Sequence, residues 1–482
     1  NACFEQGGGT VYFPAGNYMS GTIELKSNVD LHLEGGAVLY ASLEESDFQN
    51  DFVIYKQNDS GKLPGEGTPV LIYAKDAENI SISGKGSIHG RARRTYEPLK
   101  SVDGFIEEET KIARDAGVDM KMYYKVKPYT CMIFLESCND ISIQDVSLIE
   151  STDWTLHFKW CQKVFVDNIY LESDLEKGVN ADGIDVDGSK DVVISNCIIK
   201  TGDDAIVLKS TITGNRFEDC ENVTVSNCVL ESTSSALKLG TESHGDFRFI
   251  TFNNCVIRNS NRGLGIIIRD GGTAEHITFS NILIKCDRKH FNWWGDGDPI
   301  WLVVKKREPG SKIGAIRNVW FNNVHASGQG TSKVEGFPGR KQIENINFNH
   351  VTLHLQPEDQ PDKRAKNILK VDHAKNVSIT NMTTIWDFKT APEPLWSHNV
   401  VFENVEGVDI NHLKFNVLQD YASLFLKSVK NVSVNSLHDV NNKKPVVQIE
   451  GKDSQNINLH EVSSAINVSI AKDIKKDAVT LP

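Results

Sequence analysis

A phrase of alternating β-branched and polar residues, closed by Asn or Asp, returns through almost the whole chain and restricts the fold more than any other feature. It reads ENISISG near Asn79, NDISIQD near Ile141, KDVVISNC near Val192, ENVTVSNC near Val223, FITFNNC near Ile250 and HITFSN near Ile277. It continues as NVWFNN near Val319, NINFNH near Ile346, NVSITN near Val377, NVSVNS near Val432 and NINLHE near Ile457. The steps from 192 to 223, 223 to 250, 250 to 277 and 319 to 346 are 27 to 31 residues, which is the mark of a repeat architecture. Each unit offers short strands of period two, with Gly, Asn and Asp turns and almost no 3.6-residue apolar stripe, so helical repeats are excluded. Propeller blades are antiparallel and run about 40 to 45 residues. Parallel coils of a few short strands fit better. Stacked about 4.8 Å apart, they bury columns of Val, Ile, Leu and Phe and let turn Asn side chains bond from coil to coil.

The reading is therefore an all-β chain, one right-handed parallel β-helix domain over residues 1–482. Excursions from the coil are expected near 91–130, which is charged and partly helical in pattern, near 286–318, which holds FNWWGDGDPIW, and near 386–400, which holds WDFKTAPEPLW. Long loops on a rigid scaffold usually carry function. The seven Asn-x-Ser/Thr matches mostly fall on the Asn turn phrase itself, which accounts for them without glycosylation.

Bulk properties narrow the partners. No apolar run approaches the length of about 18 residues that suggests a membrane span. A net charge of -12 argues against nucleic acid, because phosphate binding needs a basic field. A polyanion remains possible where basic groups gather locally. Nine cysteines cannot all pair within one chain, and Cys197, Cys228 and Cys255 recur in SNCII, SNCVL and NNCVI, so one interior column of free thiols is expected. No CxxC pair or His/Cys cluster has zinc spacing, so no metal is assigned. The chain opens at Asn1 inside a patterned segment, without initiator Met or leader-like regions, and any export signal is expected to lie outside it.

Four consecutive coils superpose on their apolar alternation: NADGIDVDG (180–188), GDDAIVLKS (202–210), SSALKLGTE (234–242) and RGLGIIIRD (262–270). Ile184, Ile206, Leu237 and Leu264 then point inward, as do Val186, Leu208, Leu239 and Ile266. The outward column holds Asp185, Val207, Lys238 and Gly265. Asp182, Asp203 and Asp204 fall at the strand starts of adjacent coils. Three crowded carboxylates raise at least one proton affinity, and such a set supplies the protonated acid and ionised base that glycoside hydrolysis requires. Turn formation or calcium ligation is the alternative for isolated DG or DD dipeptides.

The stretch STDWTLHFKWCQKVFVDNIYLES…NADGIDVDGSKDVVISNCIIKTGDDAIVLKS resembles the central block of glycoside hydrolase family 28, the polygalacturonases and rhamnogalacturonan hydrolases, whose usual forms are NTDG and GDD. The opening GGGTVYFPAGNYMSGTIELKSNVDLHLEGGAVL is similar to its N-terminal coils, and the resemblance covers roughly residues 5 to 310. It implies a pectin-hydrolase type of β-helix, with Asp203 as the acid that protonates the glycosidic oxygen. Asp182 and Asp204 would activate a water on the opposite face, giving inversion without a cofactor.

The departures are specific. The family's GHG falls on Ser234, Ser235 and Ala236, so Ser235 replaces its histidine. Its RIK, a grip for galacturonate, falls on Gly265, Ile266 and Ile267. Lys209, Lys238 and Arg269 face outward in this register and are candidates to replace that grip, with His244 following in GTESHGD. Glu242 is a candidate ligand contact or a turn residue. Trp154 and His157, one coil before Asp182, read either as an aromatic platform for a sugar or as packing under a loop, and Trp293 and Trp294 as a cleft wall.

The resemblance implies a pectic poly- or oligosaccharide substrate containing α-linked galacturonate; the missing grip at Gly265 and Ile267, with excursions near 91–130 and 286–318 able to fold over the two ends of the Asp cluster, points to an exo mode, and a monomer that is secreted or periplasmic is expected. A polysaccharide lyase on the same fold, with calcium-bridging acids and a basic proton acceptor, and a non-catalytic carbohydrate-binding β-helix are the competing readings.

Overall fold

The alternation of apolar and polar residues gives each strand one face to bury, and stacking like positions is the way a chain with so little helix can bury all of them. In the computed structural model this stacking is continuous. The description covers residues 1–49, 52, 68–98, 104–118, 120, 123–126, 128–289, 295–418, 420–441, 443, 446–460 and 466–481. Two large sheets, one of 23 strands and one of 15, run from Gly9–Phe13 to Val479–Thr480, and their strand pairs are parallel. This is the parallel β-helix expected. Among the described residues no helix is long and apolar enough to cross a membrane.

The smaller sheet carries six consecutive strands that matter below: β1 (Leu156–Lys159), β2 (Ile184–Asp187), β3 (Ile206–Ser210), β4 (Ser235–Ser243), β5 (Arg262–Ile268) and β6 (Asp298–Val304). Their register is the one read from the sequence. Ile184, Ile206, Leu237 and Leu264 are paired in turn, as are Val186, Leu208, Leu239 and Ile266, and all eight are fully buried. On the larger sheet Phe252, Phe279, Phe321 and Phe348 stack nearly parallel, with ring centroids 4.9 to 5.1 Å apart. Each ring thus fills the space directly above its predecessor, which leaves no void for a smaller residue to create cheaply.

The Asn ladder is present at the turns. Asn254 donates to Asn227 at 2.7 Å, Asn227 to Asn196 at 3.3 Å, and Asn196 to Asp167 at 2.7 Å. These Asn residues sit at φ near +55 to +59°, a left-handed conformation that Asn tolerates better than branched residues do. The same residue therefore turns the chain and ties coil to coil. All nine cysteines are free thiols, and Cys197, Cys228 and Cys255 line one buried column.

The excursions are partly as expected. Residues 91–130 leave the coil with a helix, Gly104–Asp115, and a small antiparallel pair, Tyr96–Pro98 with Tyr123–Lys125. Residues 286–318 are not one excursion. β6 lies within them and pairs with β5, so a regular coil strand interrupts the stretch, and the described residues that leave the coil are 287–289 and 295–297 before it and 305–314 after it. Its alternation of Ile300, Leu302 and Val304 is masked in the sequence by flanking Pro, Trp and Gly. Trp293 and Trp294 lie outside the described residues. The third departure, 387–399, brings Trp396 against Trp386 at 4.8 Å, and both rings are buried.

The ladder predicts a separable cost. Asn227→Ala loses side-chain bonds to two coils and places a Cβ residue at φ +57°, and it should destabilise by about 1 to 3 kcal/mol in denaturant unfolding. Asn227→Gly should recover the conformational part. If Gly is no better than Ala, the left-handed backbone carries none of the cost.

Candidate active site

On the outward face of the smaller sheet, one column runs His157, Asp185, Val207, Lys238, Gly265, Trp301 from β1 to β6. Asp182 stands just before β2, and Asp203 and Asp204 just before β3. Their backbone is fixed by its neighbours: the Asp182 carbonyl accepts from Thr155 N–H at 2.9 Å, and the Asp204 carbonyl from Gly183 N–H at 2.8 Å. The Asp203 carbonyl accepts hydroxyl bonds from Thr201 and Ser232, both 2.6 Å. A Cβ on Gly202 would meet the Asp174 carbonyl oxygen at 2.3 Å, which explains why Gly precedes the Asp pair.

Asp182, Asp203 and Asp204 each contribute an oxygen to a group in which all three lie within 4.8 Å of one another, and all three residues are buried. Burial, opposed by Lys209, pushes Asp182 up to about 6. Burial, reinforced by the charges of Asp182 and Asp204, pushes Asp203 well above the usual carboxylate range. Asp204 goes the other way: burial raises it, but Lys238 and Lys209 outweigh that and hold it below its ordinary value. It also accepts from Ser234 Oγ at 2.9 Å and Ser235 N–H at 3.2 Å. Asp203 accepts backbone bonds from Asn180 at 3.0 Å and Asp204 at 2.9 Å. One carboxyl set to stay protonated beside one set to stay ionised is the pattern needed for paired acid and base work.

The lysines compensate this cluster from inside. Lys209 Nζ is 3.1 Å from Asp182, 3.5 Å from Asp185 and 3.6 Å from Glu242, and lies 4.0 Å from the Trp154 ring centroid. Lys238 bonds Asp204. Both were expected to face a substrate carboxylate, yet both are buried and already paired with acids of the cluster. Three carboxylates this close have the geometry to ligate a cation; Lys209 pairs with one oxygen of Asp182 and Lys238 with one of Asp204, while Asp203 has no lysine partner among the described residues. Lys238 also supplies the positive charge beside Asp204 at the coil where the family histidine would stand. Ser235 Oγ is itself buried without a partner.

The remaining candidates divide. Glu242 joins the cluster: burial raises it, but Lys209 and Arg307, the latter at 3.3 Å, hold it well below the carboxylate range. Arg269 is half-buried at the end of β5, with its pKa lowered by burial and by Arg307. His244 lines a separate cavity of about 400 Å³ with Phe217, Asp270, Arg307 and Lys312, and burial lowers its pKa. His157 is not a sugar platform. It is fully buried, pairs with the equally buried Asp187 at 3.1 Å, and is pushed down to about 4, chiefly by burial. Trp154, 4% exposed, stands edge-on to it under Lys209, so the two rings are the floor of the cluster and not a sugar-facing wall.

Sequence reasoning missed three participants. Asp185 was placed in the outward column but given no role. It is fully buried, neither oxygen has a hydrogen-bond partner, and burial together with Asp182 pushes its pKa well up. Arg307 and Trp301 belong to the stretch taken for an excursion. Reading Ile300, Leu302 and Val304 as a strand would have placed Trp301 beside Gly265.

The profile of glycosyl hydrolases family 28 matches residues 3–354. A probable polygalacturonase of Vitis vinifera is 27% identical over 42% of this chain and 38% of its own length. An exo-poly-alpha-D-galacturonosidase of Dickeya chrysanthemi is 26% identical over 40% of this chain and 35% of its own. The match thus spans well under half of these relatives. Among solved structures, a family 28 exopolygalacturonase of Yersinia enterocolitica superposes with a TM-score of 0.59 at 16% identity, covering 83% of this chain and 72% of that one. An exopolygalacturonase of Thermotoga maritima gives 0.58 at 22%, covering 73% and 81%. At these identities the structures establish the fold.

The electrostatics predict how stability responds to Lys209→Met. The folded pKa of Asp182, about 6, stands above an unfolded value of about 3.9, so its burial costs little below the unfolded value and destabilises as pH rises through 6. Removing Lys209 raises that pKa further and widens the destabilised window. Thermal unfolding from pH 4 to 8 should show a deficit relative to wild type that is small in acid and grows with pH. A deficit constant across the range would mean that Lys209 contributes packing and not charge.

Proposed function

Because the chain belongs to glycosyl hydrolases family 28, we propose that it hydrolyses α-linked galacturonate in pectic poly- or oligosaccharides, with Asp203 as proton donor and Asp182 and Asp204 as the pair that activates water. The observation that carries this reading is the buried trio whose members are driven in opposite directions, Asp203 up and Asp204 down. Asp203 keeps its proton until the leaving oxygen takes it. Asp204, held ionised by Lys238, and Asp182, held by Lys209, accept the proton of the attacking water. No cofactor enters these steps.

Inversion rests on the family resemblance and not on the spacing. Acid and base carboxyls of inverting enzymes commonly stand about 6.5 to 9.5 Å apart, whereas here single oxygens of all three lie within 4.8 Å. That rule describes two carboxyls flanking a sugar, while here three converge, and in the proposed mechanism two of them act on one water.

An exo mode is supported by what stands at either end of the cluster. From the first excursion, Arg93 lies 3.3 Å from Glu150 and 3.5 Å from Asp174, and Tyr96 bonds the Ser151 carbonyl at 3.4 Å. Asp174 in turn packs on Gly202, next to Asp203. On the other side, Lys289 N–H and Gly297 N–H bond Asn261 at 3.1 and 2.9 Å, just before β5. Segments over both ends favour a pocket that admits a chain terminus. A cell-wall substrate implies a secreted or periplasmic enzyme, and the enzyme is proposed to act as a monomer.

Digestion of polygalacturonate and of rhamnogalacturonan, followed by chromatography and proton NMR, tests the reading. Monosaccharide should dominate early while viscosity falls slowly, and the first anomer formed should be β. A spread of oligomers with rapid loss of viscosity would overturn the exo mode, a first α-anomer would overturn inversion, and inactivity on every pectic fraction would overturn the substrate class.

A further inference from the structure

Around the carboxylate cluster most cations are already spent. Lys209 and Lys238 are paired as described, Arg262 grips Asp298 at 2.7 Å, Arg307 grips Asp270 at 2.7 Å, and Lys333 is 3.2 Å from Asp296. Arg269 and Lys305 differ. Among the described residues neither side chain has a carboxylate within ion-pair distance, and Arg269 Nε is buried without a hydrogen-bond partner. The two are neighbours. Ile268 and Val304 are the last paired residues of β5 and β6, and Lys305 N–H bonds the Ile268 carbonyl at 2.9 Å, so Arg269 and Lys305 leave adjacent strand ends side by side.

Alternation along β5 and β6 puts Gly265, Ile267 and Arg269 on one face with Trp301, Val303 and Lys305. Lys305 Nζ lies 4.8 Å from the Trp301 ring centroid, and that ring is held by a bond from Nε1 to Glu335 at 2.7 Å and backed by the locked Arg262 guanidinium at 4.1 Å. Lys305 is exposed to solvent, yet partial desolvation among its neighbours pushes its ammonium down, and Lys333, Arg262 and Arg269 add to this against the pull of Glu335. Two cations kept together without an ion-paired carboxylate among the described residues, in a protein of net charge -12, are an arrangement that an arriving anion would relieve. The partly exposed Trp301 ring suits the body of a pyranose.

We propose that Arg269, Lys305 and Trp301 form the subsite that receives the carboxylate of a uronic acid next to the scissile bond, in place of the two cations absent from Gly265 and Ile267. The inference rests on the pectic reading above. It shifts recognition from the face of the coil strand to its end, and it identifies the ligand as a carboxylate-bearing sugar and not a neutral one.

Calorimetric titration tests it, with the Asp203→Asn protein as background so that ligand is not consumed. The probes are trigalacturonate and its carboxyl-reduced counterpart, and the variants add Arg269→Met, Lys305→Met or Lys305→Arg. Each Met substitution should weaken trigalacturonate binding about tenfold or more, the scale of one hydrogen bond to a charged group. The reduced sugar should be unaffected, and Lys305→Arg should keep the preference for the acid. If the preference survives both Met substitutions, or both sugars weaken equally, the inference is overturned while wild-type hydrolysis stands. If neither sugar binds and the wild type cleaves no pectic oligomer, the pectic reading falls and takes the inference with it.

Discussion

Five carboxylates, Asp182, Asp185, Asp203, Asp204 and Glu242, are packed around two buried lysines, and this shortage of positive charge is what the rest of the site answers to. With too few cations to ionise every acid in a poorly hydrated place, the set must hold protons. Where they go is decided by where the ammonium groups sit. Asp204 has Lys238 and two further donors and stays ionised. Asp203 has two backbone donors and no lysine contact, and the Asp185 carboxyl accepts no hydrogen bond and has Lys209 only at 3.5 Å, so these are the acids that keep protons. The β-helix makes such crowding tolerable, because parallel register holds the strand starts at fixed spacing and the buried columns beneath resist their separation.

Much of the fold was legible because a β-helix repeats its own evidence. A single Asn-flanked strand says little, but eleven of them, several at steps of 27 to 31 residues, determine a register. That register was read correctly across β2 to β5, down to the column Asp185, Val207, Lys238, Gly265. What alternation cannot report is whether an outward face is covered. Lys209 and Lys238 do leave the core side of the sheet, yet acids and the Trp154 ring close over Lys209. His157 likewise points outward and is fully buried, because Asp187, Trp154 and Phe134 surround it.

The stretch 286–318 failed for a different reason. Its one coil strand is short and set between turns rich in Gly, Pro, Trp and charge, so the local pattern looked irregular although the coil before and the coil after were both in place. The step of 42 residues from 277 to 319, between steps of 27 on either side, was the available signal. Missing it hid Trp301 and Lys305, and with them a cationic strand end that stands beside Gly265 and Ile267, where the family pattern would put its own cations.

The central claim is that Asp203 stays protonated and donates that proton to the leaving oxygen. It is tested most directly by comparing Asp203→Asn with wild type on two substrates, a galacturonate oligomer and an aryl galacturonide whose phenolate leaves without protonation. Turnover of the oligomer should fall by about 10²- to 10⁴-fold, the worth of a general acid, while turnover of the aryl substrate should be largely retained. An equal loss on both substrates would contradict the account, since Asp203 would then serve a step other than departure of the leaving group.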